Sequence, residues 1–280
     1  MAVTTPTTPT TLENLPEHDR YVFDNDSAHA REQHRCLAEM LDSMTTARLS
    51  RLGVADGWNC LELGAGGGSV AGWLARRVAP TGRVLATDIK PGHLAPAPCL
   101  RVKRHDAVRD RLPEDAFDLI YARLVLLHLP ERLAVLDRLV RALRPGGWLQ
   151  LDEFDISYGP ALLMPDARAR ERYEAFLAAK IRVMDAAGAD GAWGQRVPQA
   201  MRDAGLVDID SHVELQLWEA GSPGTRLLIH HTHHLREKFL AAGMTDRQLA
   251  QVRDVMTDPA FRATSCPIYS VQGRRPRRAG

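Results

Sequence analysis

Hydrophobic positions along this 280-residue chain change period several times, and each change marks an element. Between Tyr21 and Leu52 apolar residues recur at helical spacing, with Leu37, Met40, Leu41, Met44, Leu49 and Leu52 ahead of a stop at Gly53, which predicts one or two helices. Short apolar runs then alternate with helical stretches. The runs are Cys60 to Leu63, Arg83 to Thr87, Leu100 to Arg104, Phe117 to Tyr121 and Gly147 to Leu151, with helical spacing at Val70 to Val78 and Glu131 to Leu143. Pro and Gly sit at the joints, so the alternation predicts an α/β fold with parallel βαβ winding. From Gly159 the pattern shifts to a long helix, Ala167 to Ala187, then a helix from Gln195 to Ala204 and a strand at Val207 to Leu215. A second helical insertion, Thr225 to Met256, precedes a last strand near Pro267 to Gly273.

These changes divide the chain into a disordered leader (1–14), an N-terminal helical cap (15–56), a core (57–157), a remainder of the core with helical insertions (158–273) and a basic tail (274–280). The insertions fall at about 160–190 and 222–262. In open α/β sheets ligands sit beyond the carboxyl ends of the strands, and the cap and insertions lie where they can cover that crevice as a lid.

Composition narrows the partner class. Hydrophobic residues at 45% and charged ones at 25% belong to an ordinary globular chain with a sizeable core. A net charge of +1 gives no footprint for nucleic acid or an anionic membrane, so a small molecule is the expected partner. Cys36, Cys60, Cys99 and Cys266 form no Cys-x-x-Cys pair, which favours a reducing cytoplasm over a disulfide framework or a zinc module. The Thr/Pro-rich leader lacks the basic start and apolar stretch of a signal peptide, and no run approaches the ~20 apolar residues of a membrane span.

Chemistry concentrates at Asn59-Cys60-Leu61-Glu62-Leu63-Gly64-Ala65-Gly66-Gly67-Gly68-Ser69. A strand that breaks into glycines and then into a helix is a nucleotide seat, because glycine lets backbone approach a ligand and the helix start offers unpaired N–H groups. Asp88 closes the second strand about 20 residues on, where a carboxylate accepts from a ribose diol. Gly66-x-Gly68-x-x-Ala71 also passes the dinucleotide fingerprint, so an NAD-dependent oxidoreductase is an alternative, as is a catalytically silent adenosyl-binding protein. Glu62 separates the classes. A carboxylate at that strand end is costly to bury unless a positive or hydrogen-bonding group meets it.

Glu62-x-Gly64-x-Gly66-x-Gly68, the His128-Leu129-Pro130 segment and the Pro145-Gly146-Gly147 turn together resemble the class I S-adenosylmethionine-dependent methyltransferases, over roughly residues 55 to 155. The resemblance implies a Rossmann-like sheet of seven mostly parallel strands, the seventh antiparallel, and S-adenosyl-L-methionine as donor, leaving as S-adenosyl-L-homocysteine. It implies that Gly64, Gly66 and Gly68 let the backbone approach the methionine and ribose portion, and that Glu62 meets the donor's positive groups. Asp88 would hold the ribose hydroxyls and Ile89 the adenine face. Asp106 with Ala107 would hold the adenine amino group, and Arg123 the methionine end by its backbone. Tyr21 and Gln33 would reach the methionine carboxylate from the cap. The lid and the Ala/Arg-rich style are similar to small-molecule methyltransferases of bacterial secondary metabolism, so a small, aromatic natural-product acceptor is expected, methylated on C, N or O. A homodimer stays open.

Methyl transfer from a sulfonium needs alignment above all, and a base only if the acceptor must lose a proton. His128, after the fourth strand on the ligand side, is the first candidate for that base, expected to titrate near neutrality; helix-start packing is the bland alternative. Glu153, after the fifth strand, is the second, as base or substrate orienter. His230, His233 and His234 share a helix face, yet no acid or Cys at zinc-site spacing accompanies them, so no metal is expected.

Overall fold

The computed structural model describes residues 22–23 and 29–277. The elements are, in order, α1 (Ala30–Arg51), β1 (Asn59–Leu63), α2 (Ser69–Val78), β2 (Arg83–Asp88), β3 (Leu100–Arg104), β4 (Phe117–Arg123), α3 (Arg132–Ala142), β5 (Leu143–Phe154), β6 (Ala161–Leu163), α4 (Ala167–Ala186), α5 (Trp193–Asp203), β7 (Val207–Glu214), β8 (Leu217–Glu219), α6 (Pro223–His234), α7 (Arg236–Ala241), α8 (Asp246–Thr257), β9 (Arg262–Thr264) and β10 (Ile268–Arg274). Short 3-10 turns lie at Pro91–His93 and Leu126–His128.

Seven strands form one sheet in the order β3-β2-β1-β4-β5-β10-β7. All pairs are parallel except those of β10, which runs antiparallel to both β5 and β7. The order reverses direction at β1 and β4, so the crevice beyond their carboxyl ends is where a ligand fits an open α/β sheet.

Strand alternation fills two cores. Cys60, Leu119 and Tyr121 face the layer made by α2 and the end of α1, while Leu61, Leu63, Ile120 and Ala122 face the opposite layer. Continuous apolar runs in β1 and β4 follow, because a strand covered on both faces has no polar side to show.

The helices inserted after β5 and β7 pack on one another, with α4 against α7 and α8, Tyr173 edge-on to Phe261 at 5.1 Å and Phe176 tilted against Phe239 at 5.2 Å. The stretch expected as one helical insertion from Thr225 to Met256 is three helices, broken after His234 and at the turn before Asp246. A small antiparallel sheet, β6-β9-β8, joins the two insertions and had no counterpart in the sequence reading. From the cap side α1 lies over α6, and its second half is tied into the main sheet. Thr45 donates to Asp152 Oδ2 at 2.6 Å, and Arg48 donates to Asp210 Oδ2 at 2.5 Å and to the Ser270 carbonyl at 3.2 Å.

Candidate active site

The glycine loop is held against the end of β2. Ala65 N–H donates to the Thr87 carbonyl at 2.8 Å, Gly66 N–H to Asp88 Oδ2 at 3.0 Å, and Lys90 N–H to Asp88 Oδ1 at 2.9 Å. Above the loop opens a cavity of about 550 Å³, lined by the ends of β1, β2 and β4, the loop after β3, the Leu124–Glu131 segment and the first turns of α1. Ten of the expected site residues line it: Gln33, Glu62, Gly64, Gly66, Asp88, Ile89, Asp106, Ala107, Arg123 and His128. Tyr21 lies outside the described residues.

Gly68 and Glu153 do not line it. Gly68 has φ +76°, ending the loop as the cap of α2, and a Cβ there would stand 2.6 Å from Leu94 Cδ2, so its approach is to a protein side chain. Glu153 is fully buried because β5 runs on through Phe154, paired with Ile268 of β10; it is a residue within the sheet and not past its end. Its Oε1 accepts from Leu126 N–H at 2.9 Å, which makes it a support for the turn that carries His128. Burial pushes its carboxyl up to about 8, against the pull of the backbone N–H groups of that turn.

His128 faces the cavity but does not titrate near neutrality. Burial first, then the charges of Lys180 and Arg132, hold its imidazole down to about 3, so it is a neutral donor or acceptor and a weak base. Asp106 takes the Asx-turn arrangement, its Oδ1 accepting from Val108 N–H at 2.8 Å and Arg109 N–H at 3.3 Å, while still bordering the cavity. The Arg123 side chain reaches α1, donating to Asp42 Oδ1 at 2.8 Å.

Among the buried polar atoms of this lining without a hydrogen-bond partner are Glu62 Oε2, Gln33 Oε1 and the His34 ring Nδ1. Glu62 is 4% exposed, and desolvation pushes its carboxyl up to about 8 in spite of the Arg123 guanidinium, whose charge is already met by Asp42. The Gln33 amide oxygen is a hydrogen-bond acceptor, and so is Glu62 Oε2 once the carboxyl is ionised. A ligand bearing N–H⁺ donors fits them, whereas a pyrophosphate beside Glu62 would meet like charge.

His34 is a lining residue that the sequence reading missed. Its ring lies on the loop, with Nε2 3.2 Å from where a Cβ at Gly66 would sit, and burial lowers its pKa. Its place one position after Gln33 on a helix crossing the loop was the available signal. His230 and His234 pack on His29, the residue just ahead of α1, and His231 is buried against Phe23 at 4.6 Å. Among the described residues no group of three or more His, Cys, Asp or Glu side chains can hold a metal ion.

Comparison with known proteins bears on this site. Residues 61–151 match the methyltransferase domain family. Methyltransferase str3 of Strobilurus tenacellus is 33% identical over 125 residues, 44% of this chain and 43% of its own length. Methyltransferase GfsG of Streptomyces halstedii is 35% identical over 127 residues, 41% and 44% of the two chains. Trans-aconitate 2-methyltransferase of Variovorax paradoxus is 30% identical over 158 residues, 55% and 53%. The chain thus spans about half the length of the curated relatives it matches. Among solved structures, the YcgJ protein of Bacillus subtilis superimposes with a TM-score of 0.51 at 13% identity, covering 88% of this chain and 100% of that one. Phosphoethanolamine N-methyltransferase 2 of Haemonchus contortus, in complex with S-adenosylhomocysteine, does so with 0.50 at 14% identity, covering 84% and 53%. Likeness at that identity is a likeness of fold.

Proposed function

We propose that this chain, whose residues 61–151 match the methyltransferase domain family, is a class I S-adenosylmethionine-dependent methyltransferase and transfers the methyl group of S-adenosyl-L-methionine to a small-molecule acceptor. The observation that carries the reading is Glu62: a buried carboxylate beside the glycine loop, one oxygen unmet, opening into a cavity large enough for a nucleoside. The donor supplies an electrophilic methyl group on a sulfonium, with its own ammonium to meet Glu62.

The chain's part is to bind and to exclude water. Glu62 and the Gln33 amide oxygen accept from the ammonium end, at the loop of Gly64 and Gly66. Asp88 keeps the loop in shape through Gly66 N–H and presents its carboxylate to the ribose. Ile89, Asp106 and Ala107 form the far wall where an adenine is gripped, and the Arg123 backbone borders the methionine end. His128, neutral at physiological pH, orients the acceptor by a hydrogen bond. With a conjugate acid at about 3 it suits an acceptor already ionised or one that loses its proton to water.

We read the acceptor as a natural product with an aromatic portion, methylated on C, N or O. The family's secondary-metabolite branch supports this, together with the aromatic residues Tyr173 and Trp218 that border a cavity under the lid. Four free cysteines fit a cytoplasmic setting, and a homodimer is compatible with the lid. Calorimetry with S-adenosyl-L-homocysteine tests the core of the reading: binding at micromolar concentrations supports it. Absence of binding at tens of micromolar protein, or binding of NADH in its place, would remove it.

A further inference from the structure

A second cavity, of about 350 Å³, lies under the lid between α4, α6, the 156–160 segment and the small sheet. Its walls are mainly apolar, with Tyr173, Leu177, Ile181, Trp218 and Leu228 among them. One wall residue is a cation. Lys180, on α4, is half-buried there and forms no hydrogen bond or ion pair with any other described residue.

The carboxylates nearby are already engaged. Asp155 accepts from Ser157 N–H at 3.0 Å and from the Ser157 hydroxyl, and Glu174, exposed at the rim, pairs with Arg170 at 3.6 Å. The other polar lining groups are donors or neutral. Thr264 Oγ1 and Trp218 Nε1 lack partners, and burial pushes the Cys266 thiol up to about 12, so it stays protonated. The helix α4 borders both cavities: Lys180 and Ile181 line this one and Ala187, the C-cap of the same helix, lines the donor cavity, and the charge of Lys180 is felt at His128. An ammonium set in an apolar wall with no counter-ion among the described residues is unfavourable until an anion meets it or it gives up its proton, and burial does lower its pKa.

We propose that this second cavity is the acceptor subsite and that Lys180 fixes a carboxylate on an acceptor whose remaining body is apolar. The size suits a compact molecule, and the walls supply one cation and two donors with no competing acceptor carboxylate free. This assignment rests on the methyltransferase reading of the first cavity, and it makes Lys180 a specificity-determining residue.

The test uses the protein loaded with S-adenosyl-L-homocysteine and a panel of apolar monocarboxylates, aryl-alkanoic and cinnamic acids, each paired with its primary amide. Saturation-transfer NMR and calorimetry read the binding. Carboxylates are expected to bind at least about 10-fold more tightly than their amides, and Lys180→Met to lose about 10-fold or more of that affinity while Lys180→Arg keeps most of it. Affinity of Lys180→Met for S-adenosyl-L-homocysteine should equal that of the wild type, which also reports that the variant is folded. The proposal is overturned if no acid of the panel binds at millimolar concentration, if amides bind equally well, or if Lys180→Met retains the acids. Failure of the methyltransferase reading is a separate outcome, seen as wild-type protein that does not bind S-adenosyl-L-homocysteine, and the acid titrations can be run without it.

Discussion

Donor binding should release a proton, and Glu62 is its source. In the ligand-free protein burial holds this carboxyl at about 8, so about one molecule in a hundred carries it ionised at pH 6 and about half do at pH 8. An ammonium brought to Glu62 Oε2 favours the ionised form and returns the pKa toward the ordinary carboxylate range. The sign follows: binding expels a proton, so affinity rises with pH and levels off above the free-state pKa. Between pH 6 and pH 8 the affinity for S-adenosyl-L-homocysteine should grow about 50-fold, or about 2.3 kcal/mol. Calorimetry at pH 6.5 in two buffers of different ionisation enthalpy should count about one proton released per ligand. His34, His105 and His128 also line the cavity, but burial lowers all three, so they add little above neutrality. Glu62→Gln should abolish both the slope and the proton, and weaken binding at pH 8 by about 10-fold or more. A wild-type affinity that does not vary with pH, or a slope that survives in Glu62→Gln, would refute the pairing of this carboxylate with the ligand's cation.

Three other perturbations probe the supports of the site. His128 has a folded-state pKa far below its unfolded one, so its contribution to stability is complete above about pH 6.5 and is lost as pH falls toward 3, at about 1.4 kcal/mol per pH unit; denaturant titrations at pH 5 and pH 7 should show His128→Asn losing about one proton of that linkage. Glu153→Ala strands the Leu126 N–H and should cost about 2 kcal/mol in the same assay, whereas Glu153→Gln keeps a carbonyl acceptor and should stay within about 1 kcal/mol. A Cβ at Gly67 would stand 2.9 Å from His34 Cβ, so Gly67→Ala should cost about 1–3 kcal/mol by thermal melting and weaken donor binding by lifting α1 from the loop; an unchanged melting curve would mean that His34 yields freely.

What the sequence revealed was what local chemistry determines. Glycine after a strand, carboxylates at two strand ends and the alternation of runs and helices all depend on neighbours a few residues away, and the main sheet is the expected one of seven mostly parallel strands with the last in sequence antiparallel. Glu153 was misplaced because the end of β5 is set by its long-range pairing with β10, which no spacing in β5 itself encodes. The low pKa of His128 has the same origin: its neighbours Lys180 and Arg132 come from other parts of the chain. Strands of three residues, as in β6, β8 and β9, are too short for a period to show. Lys180 stands at helical spacing from Tyr173, Phe176, Leu177 and Met184, which puts it on the apolar face of α4, but the cavity it borders is completed by segments far along the chain that no spacing in α4 encodes.

The anchoring of α1 makes it a cantilever. Its second half is bolted to β5, β7 and β10 by Thr45 and Arg48, with Gln272 donating to the Arg48 carbonyl at 3.0 Å, while its first turns project over the glycine loop carrying Gln33 and His34. Swinging the whole rod aside would break that anchorage, whereas a displacement of the tip alone would leave it intact. The tip also bears on α6, where His230 Nε2 meets the His29 carbonyl at 3.0 Å. Loosening the tip would therefore also loosen its contact with α6, the helix whose Leu228 helps wall the second cavity.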